Sequence, residues 1–156
     1  MSRIDIEEAG IAGLEIVMPI MNQAFDPGYG EAWTESQTLS MLALPGVWLS
    51  IARIDGEPAG FALSRLIADE AELLLLAVAS SFRRYGVGLA LIERTRLITR
   101  QRNGFGLHLE VRHNNPAIKL YDKAGFRVVG RRPGYYRGID GQVHDALTLS
   151  ISVDPR

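Results

Sequence analysis

Three groups of residues in this 156-residue chain are suited by type and spacing to chemistry. The first centres on Glu110, within Phe105-Gly106-Leu107-His108-Leu109-Glu110-Val111-Arg112. Apolar and polar positions alternate there. A strand would put Phe105, Leu107, Leu109 and Val111 on one face and Gly106, His108, Glu110 and Arg112 on the other. A carboxylate partly shielded from water on such a strand can accept a proton from a nucleophile. An ion pair with Arg112 or His108 is the plainer reading of the same residue. The second is Tyr121, between Ile118 and Gly125. Its phenol can hand a proton to a leaving group, or it is a core tyrosine with its hydroxyl at the surface. The third is made of backbone. The run Leu73-Leu74-Leu75-Leu76-Ala77-Val78 leads to Arg83-Arg84-Tyr85-Gly86-Val87-Gly88. Near-continuous apolarity marks a strand covered on both faces. Two glycines then free the turn into a helix N-terminus, whose unpaired N–H groups and partial positive charge suit an anion. With two arginines beside it, this is a cradle for a phosphate-bearing cofactor, or else a glycine turn that only caps a helix.

The dinucleotide fingerprint GxGxxG does not fit. Gly86 and Gly88 fill its first two positions, but Leu91 stands at the third and the loop lies mid-chain. A further pair, Tyr135-Tyr136, sits among Arg131, Arg132, Pro133, Gly134 and Arg137. Paired aromatics in a glycine-bearing loop suit either a substrate-binding rim or simple loop packing.

These residues need elements to hold them. The spacing predicts a helix over 9–25, with Leu14, Val17, Met18 and Met21 on one stripe, ended by Asp26-Pro27-Gly28-Tyr29-Gly30. Thr34-Glu35-Ser36-Gln37 matches a capping box and opens a helix to about Leu44, broken by Pro45-Gly46. Strands are predicted at Val47 to Ile54, at 58–67 after the Asp55-Gly56 turn, and at 71–79. A helix over about 86–102 ends at Asn103-Gly104, and the strand 105–112 follows. Asn115-Pro116 starts a helix that stops at Gly125. Strands near 126–132 and 144–152 close the chain, joined by a loop with Gly134, Gly138 and Gly141. The order ααβββαβαββ puts hairpins before strand–helix alternation, so a mixed sheet in one domain, 1–156, is expected.

Composition narrows the chemistry. The chain is 47% hydrophobic and 22% charged, as soluble globular proteins are. No cysteine is present, which excludes disulfides, thiolate catalysis and zinc–sulfur sites. His108, His113 and His144 lack helical metal-ligand spacing, so no metal is expected. The start, MSRIDIEEAG, lacks a secretory pattern, and no apolar run approaches the ~20 residues of a membrane span. A cytoplasmic protein without a membrane partner is expected. Net charge is −1, yet residues 1–80 hold twelve acids against three arginines, and residues 81–156 hold six acids against fourteen Lys or Arg. The pI near 6.3 argues against a general nucleic-acid footprint. The acidic half suits a cationic substrate, or merely a soluble surface.

Taken together, these residues resemble the GCN5-related N-acetyltransferase (GNAT) superfamily. Arg83-Arg84-Tyr85-Gly86-Val87-Gly88 fits its (Q/R)xxGxG/A acetyl-CoA motif, and Leu109 to Phe126 is similar to its second signature, with Leu120-Tyr121 and Gly125-Phe126. Glu57-Pro58-Ala59-Gly60-Phe61-Ala62, Asp69-Glu70-Ala71-Glu72 and Arg131-Arg132-Pro133-Gly134-Tyr135-Tyr136 resemble its RimI branch, the ribosomal protein S18 alanine N-acetyltransferases, over about Ala32 to Ile151. The resemblance implies an α/β (α+β) GNAT fold with a mixed central sheet of about six to seven strands and about four helices. It further implies acetyl-CoA in a gap between the strand around Leu76, Ala77 and Val78 and the strand 105–112, its thioester paired by Leu76 and Val78 and its diphosphate held by Arg83, Arg84, Tyr85, Gly86, Val87 and Gly88. Glu110 becomes the general base, through a water, and Tyr121 the general acid. Here the loop before Leu120-Tyr121 is one residue shorter than the family's. Asn114 and Asn115 therefore both stand where the cofactor contact falls, and Asn115, directly before the proline, is the choice. Tyr135 and Tyr136 are assigned to the acceptor. The implied acceptor is a protein N-terminus, that of ribosomal protein S18. An α-amine titrates near 8, against about 10.4 for lysine, so a single carboxylate suffices. A small-molecule amine is the alternative acceptor. A catalytically silent acetyl-CoA-binding module is the alternative from another class, and retention of Glu110 and Tyr121 argues against it.

Overall fold

A computed structural model describes residues 3–29 and 31–153. Gly30 of the predicted loop and the two ends of the 1–156 span lie outside the described residues. The strands are β1 (Ile4–Ala9), β2 (Val47–Ile54), β3 (Glu57–Ile67), β4 (Glu70–Val78), β5 (Gly106–Arg112), β6 (Arg127–Arg137) and β7 (Val143–Ser152). The helices are α1 (Leu14–Ala24), α2 (Glu35–Leu42), α3 (Val87–Gln101) and α4 (Ile118–Ala124). One seven-stranded sheet runs in the order β1-β2-β3-β4-β5-β7-β6. Every neighbouring pair is antiparallel except β4–β5. This is the mixed sheet with four helices expected from the sequence.

Two apolar clusters cover the two faces of the sheet. On one face Leu91, Ile92 and Ile98 of α3 pack with Leu107, Leu109, Val111 and Tyr121. On the other, Val17, Ile20 and Met21 of α1 pack with Leu49, Ile51, Phe61 and Leu63. The leucine run of β4 serves both. Leu73 joins the first cluster, while Leu75 and Ala77 join the second. Residues two apart on a regular strand share a face, so the strand must slip between them. It does: Leu63 pairs with Leu75 and Ser64 with Leu73, which leaves Leu74 as an extra residue. A bulge of this kind bends its strand.

Four elements differ from the sequence reading. β1 precedes the first helix. Ile4 and Ile6 alternate with Asp5 and Glu7, a signal too short to stand out, and the strand forms by pairing along β2 from Ile4↔Ile54 to Ala9↔Leu49. α1 begins at Leu14 rather than 9, because Ala9 belongs to β1 and a 3-10 turn fills Ile11–Gly13. Its predicted stripe holds, with Leu14, Val17 and Met21 buried. α4 begins at Ile118, with Asn115 and Pro116 in the turn before it. Tyr135 and Tyr136 lie on a strand, not in a loop, because β6 runs on to Arg137. Pro133, Gly134 and Tyr135 stand opposite Asp145 alone, between Arg132↔Ala146 and Tyr136↔His144. Asp145 fixes that bulge by accepting from the Gly134 N–H at 3.0 Å and from Arg131 Nε at 2.7 Å. These donors hold the Asp145 carboxyl below its ordinary value. The capping box at Thr34 and Gln37 is present as predicted. Among the described residues, no helix is long and apolar enough to cross a membrane.

Candidate active site

The bend in β4 opens the sheet. β4 and β5 pair only at Glu70↔Gly106, Ala71↔Leu107 and Glu72↔His108, and past that point they separate. The Ala79 N–H donates to Ala59 O at 2.8 Å, toward β3. N–H direction alternates along a strand. The N–H groups of Leu76 and Val78 therefore point away from β3, into the opening. There lies a cleft of about 1240 Å³, lined on one side by Leu73 to Val78 and on the other by Leu109 to Arg112.

The glycine turn leads from the cleft-lining Arg84 into α3. Gly86 adopts φ +84°, a left-handed conformation that disfavours any side chain, and serves as the N-cap of α3 with no side-chain cap. The first N–H groups of α3 therefore lack a capping partner. Arg84 is also left-handed, at φ +70°. Successive turns of this kind make an anion-binding concavity. Gly88 has a different reason to be glycine. A Cβ there would approach Leu120 Cδ2 to 2.7 Å, so its smallness lets α3 and α4 close together. Arg83 and Arg84 line the cleft, as does Lys119 of α4.

Glu110 lies on the cleft side of β5 and is largely shielded from water. Its partner is neither residue suggested by its own strand. Arg112 pairs with Glu31, and His108 lies between Glu70 and Glu72. Instead Arg132 reaches across from β6 to Glu110 Oε1 at 3.1 Å. The other oxygen, Oε2, is buried and has no partner. A buried carboxylate oxygen without a donor is costly to keep.

Tyr121, buried on α4, lines the same cleft. Burial, reinforced by the negative charge of Glu31, pushes its phenol above the ordinary tyrosine value. Its proton is therefore retained through neutral pH. Tyr136 is raised too, first by burial and then by Glu31, Tyr135, Glu110 and Tyr121. Its hydroxyl donates to the Glu110 carbonyl at 3.2 Å, and its ring meets Tyr135 edge-on at 5.0 Å. The structure thus brings Glu110, Tyr121, Tyr135, Tyr136, Leu76, Ala77, Val78, Arg83, Arg84 and Asn115 to one cleft. Tyr85, Gly86, Val87 and Gly88 do not line it; they lead from Arg84 into α3, with Val87 and Gly88 buried. Asn115 spends its side chain on structure: Oδ1 accepts from the Ala117 N–H at 2.8 Å, and Nδ2 donates to Glu31 Oε2 at 3.2 Å. Asn114 accepts from Arg112.

The sequence reading missed Glu31 and its surroundings. Glu31 is buried in the cleft wall, bonded to Arg112 and Asn115, and the Arg112 guanidinium lies 3.5 Å over the Tyr29 ring. This cluster pins the segment between α1 and α2 against the end of β5. The only sequence signal was an acid beside aromatics in a segment with no periodicity. Removing one member of a buried pair leaves its partner unpaired, at a cost of about 3–5 kcal/mol, so Glu31 belongs to the frame of the cleft.

With this geometry in place, similarity to known proteins is informative. The sequence matches the acetyltransferase (GNAT) family over residues 14–126. It is 36% identical over 100 residues to the [ribosomal protein bS18]-alanine N-acetyltransferase of Escherichia coli K12, which is 64% of this chain and 67% of that protein. The crystal structure of the ribosomal-protein-S18-alanine N-acetyltransferase from Escherichia coli superimposes with a TM-score of 0.85 and 28% identity, covering 99% of this chain and 96% of that one. The PaiA N-acetyltransferase from Thermoplasma acidophilum, solved in complex with coenzyme A, shares the fold with a TM-score of 0.75 at 17% identity, covering 96% of this chain and 99% of that one.

Proposed function

This chain belongs to the acetyltransferase (GNAT) family and is a RimI-like N-acetyltransferase, and we propose that it acetylates the α-amine of a protein N-terminus, that of ribosomal protein S18, within one catalytic domain. The observation that carries the reading is the opening between β4 and β5, with a buried, half-satisfied carboxylate on one wall and unpaired strand N–H groups on the other. The residues present suit acetyl-CoA. Arg83, Arg84 and Lys119 line the cleft and would supply positive charge for its diphosphate, and the N–H groups at Tyr85, Gly86, Val87 and Gly88, in the turn after Arg84, would add donors. The exposed edge around Leu76, Ala77 and Val78 offers the hydrogen bonds that an extended pantetheine arm would take in place of a strand. Asn115 holds the turn before α4 that borders this arm.

Acetyl-CoA, when bound, supplies an acyl carbon activated as a thioester. The chain does the rest. The Leu76 and Val78 N–H groups sit where negative charge gathers as the amine attacks, and fixed donors of this kind are worth several kcal/mol. Glu110 accepts the amine proton, through a water, at its free Oε2. Tyr121 keeps its proton and donates it toward the leaving sulfur. A phenol pushed up by burial is a weaker acid than a thiol, so its proton moves only in step with bond cleavage. Holding both reactants in line supplies a further part of the acceleration. Tyr136 bonds the Glu110 carbonyl and its ring meets Tyr135, so this pair would border the acceptor beside the base.

The test is release of free thiol from acetyl-CoA in the presence of acceptor. A basic peptide beginning with alanine is expected to turn over, with polyamines and free amino acids at least about tenfold slower in kcat/KM. Turnover with small amines and none with the peptide overturns the protein-terminus assignment. Binding without turnover on any amine overturns the enzymatic reading.

A further inference from the structure

Among the described residues, Arg132 is the one cation against Glu110, and its setting suggests more than a surface ion pair. The register puts Arg112, Ala146 and Arg132 side by side across β5, β7 and β6. Glu110 stands beside Thr148. Small side chains on β7 therefore let the Arg132 guanidinium pass over them to Glu110. Arg132 is itself mostly exposed, at 60%, while Glu110 is 13% exposed. It also lies 5.4 Å from the Tyr135 ring, over its face. The backbone beneath is fixed, because Asp145 ties Arg131 and the Gly134 N–H on either side of it.

The other charged and titratable groups around Glu110 are already engaged or hold their protons. On β5, Arg112 is committed to Glu31, and His108 to Glu70 and Glu72. On β6, Arg131 pairs with Asp145 of β7. Tyr136 of β6 and Tyr121 of α4 are both pushed toward the protonated form. Thr148 of β7 is neutral. Arg132 alone is both cationic and mobile enough to leave, since an exposed arginine gives up a surface pair at little cost.

We propose that Arg132 is a displaceable counter-ion: it holds the place at Glu110 that the acceptor's ammonium takes, so acceptor binding exchanges one cation for another. This rests on Glu110 being the acceptor-side base. Between turnovers the guanidinium pairs with Oε1, and it swings onto Tyr135 when an amine arrives. Arg132 is thus a positioning residue that acts through Glu110 and sets how strongly acceptors must bind to reach it.

The experiment measures affinity of an alanine-first peptide with an uncharged tail for the coenzyme A complex, by calorimetry, together with kcat and KM for the same peptide. Proteins compared are the wild type, Arg132→Gln, Arg132→Lys, Glu110→Gln and the Arg132→Gln/Glu110→Gln double variant. Arg132→Gln should bind the peptide roughly threefold to tenfold more tightly, with coenzyme A affinity unchanged. The gain should appear in KM for the peptide, with kcat unchanged. Arg132→Lys should behave as wild type, and Arg132→Gln should add nothing in the Glu110→Gln background. Peptide affinity that is unchanged or weaker in Arg132→Gln overturns the proposal, as does an equal gain in the Glu110→Gln background. Failure of the underlying reading looks different: Glu110→Gln would then keep wild-type turnover, whatever Arg132 does.

Discussion

Glu110→Gln should lower kcat/KM for an alanine-first peptide by about 10²- to 10³-fold near pH 7, within the range that a positioned general base supplies. The loss should be largest at low pH and shrink as pH rises. An α-amine titrates at about 7.7–8.0, so below that range the attacking nitrogen reaches the site protonated and depends on a base. Above it, free amine arrives and the carboxylate matters less. Glutamine matches glutamate in size, and Glu110 meets its neighbours through one ion pair and one orphan oxygen. The fold and the coenzyme A affinity should therefore survive. The measurement is the pH–rate profile of both proteins under subsaturating acceptor. Parallel profiles would remove Glu110 as the base.

Tyr121→Phe should slow acyl transfer by about 10²-fold while leaving coenzyme A affinity within about twofold. The phenol is buried among Phe126 and the α3–α4 contact, with its ring edge-on to Phe126 at 5.8 Å. Phenylalanine keeps that packing and removes only the donor. Among the described residues no hydrogen bond to the Tyr121 hydroxyl is seen, so its deletion strands no described group. The loss should fall on kcat and kcat/KM equally, as expected for an interaction made in the transition state alone. Single-turnover kinetics with preloaded acetyl-CoA separates this step from product release. A rise in KM with kcat unchanged would instead make Tyr121 a binding residue.

Much of this was legible before any coordinates. The alternation in 105–112 put Glu110 on the correct face of β5, and Thr34 with Gln37 marked the start of α2. The two glycines marked the turn into α3, although they act differently: Gly86 for its backbone angle, Gly88 for its closeness to Leu120. Local rules failed where tertiary contacts decide. Pro133-Gly134 reads as a strand end, yet Asp145 from the facing strand absorbs both into a bulge and carries Tyr135 and Tyr136 onward to Glu110. The partner of Glu110 lies 22 positions away on β6, two strands over, so its own strand suggested the wrong cations. Glu31 had no pattern at all, because its role comes from Arg112 and Asn115, which only the folded sheet brings to it. The opening itself follows from one unpaired residue, Leu74, inside a run of four leucines that offers no sign of where the slip falls.

Calorimetric titration of coenzyme A into the wild type and Gly86→Val tests the core of the account. The wild type should bind one equivalent with a saturable heat. Gly86→Val should bind at least about tenfold more weakly, because a left-handed angle costs an L-residue roughly 1–2 kcal/mol, and a β-branched side chain more, so the loop abandons the shape that gathers its N–H groups. No heat from the wild type, or equal affinity in both proteins with the fold intact, would contradict it.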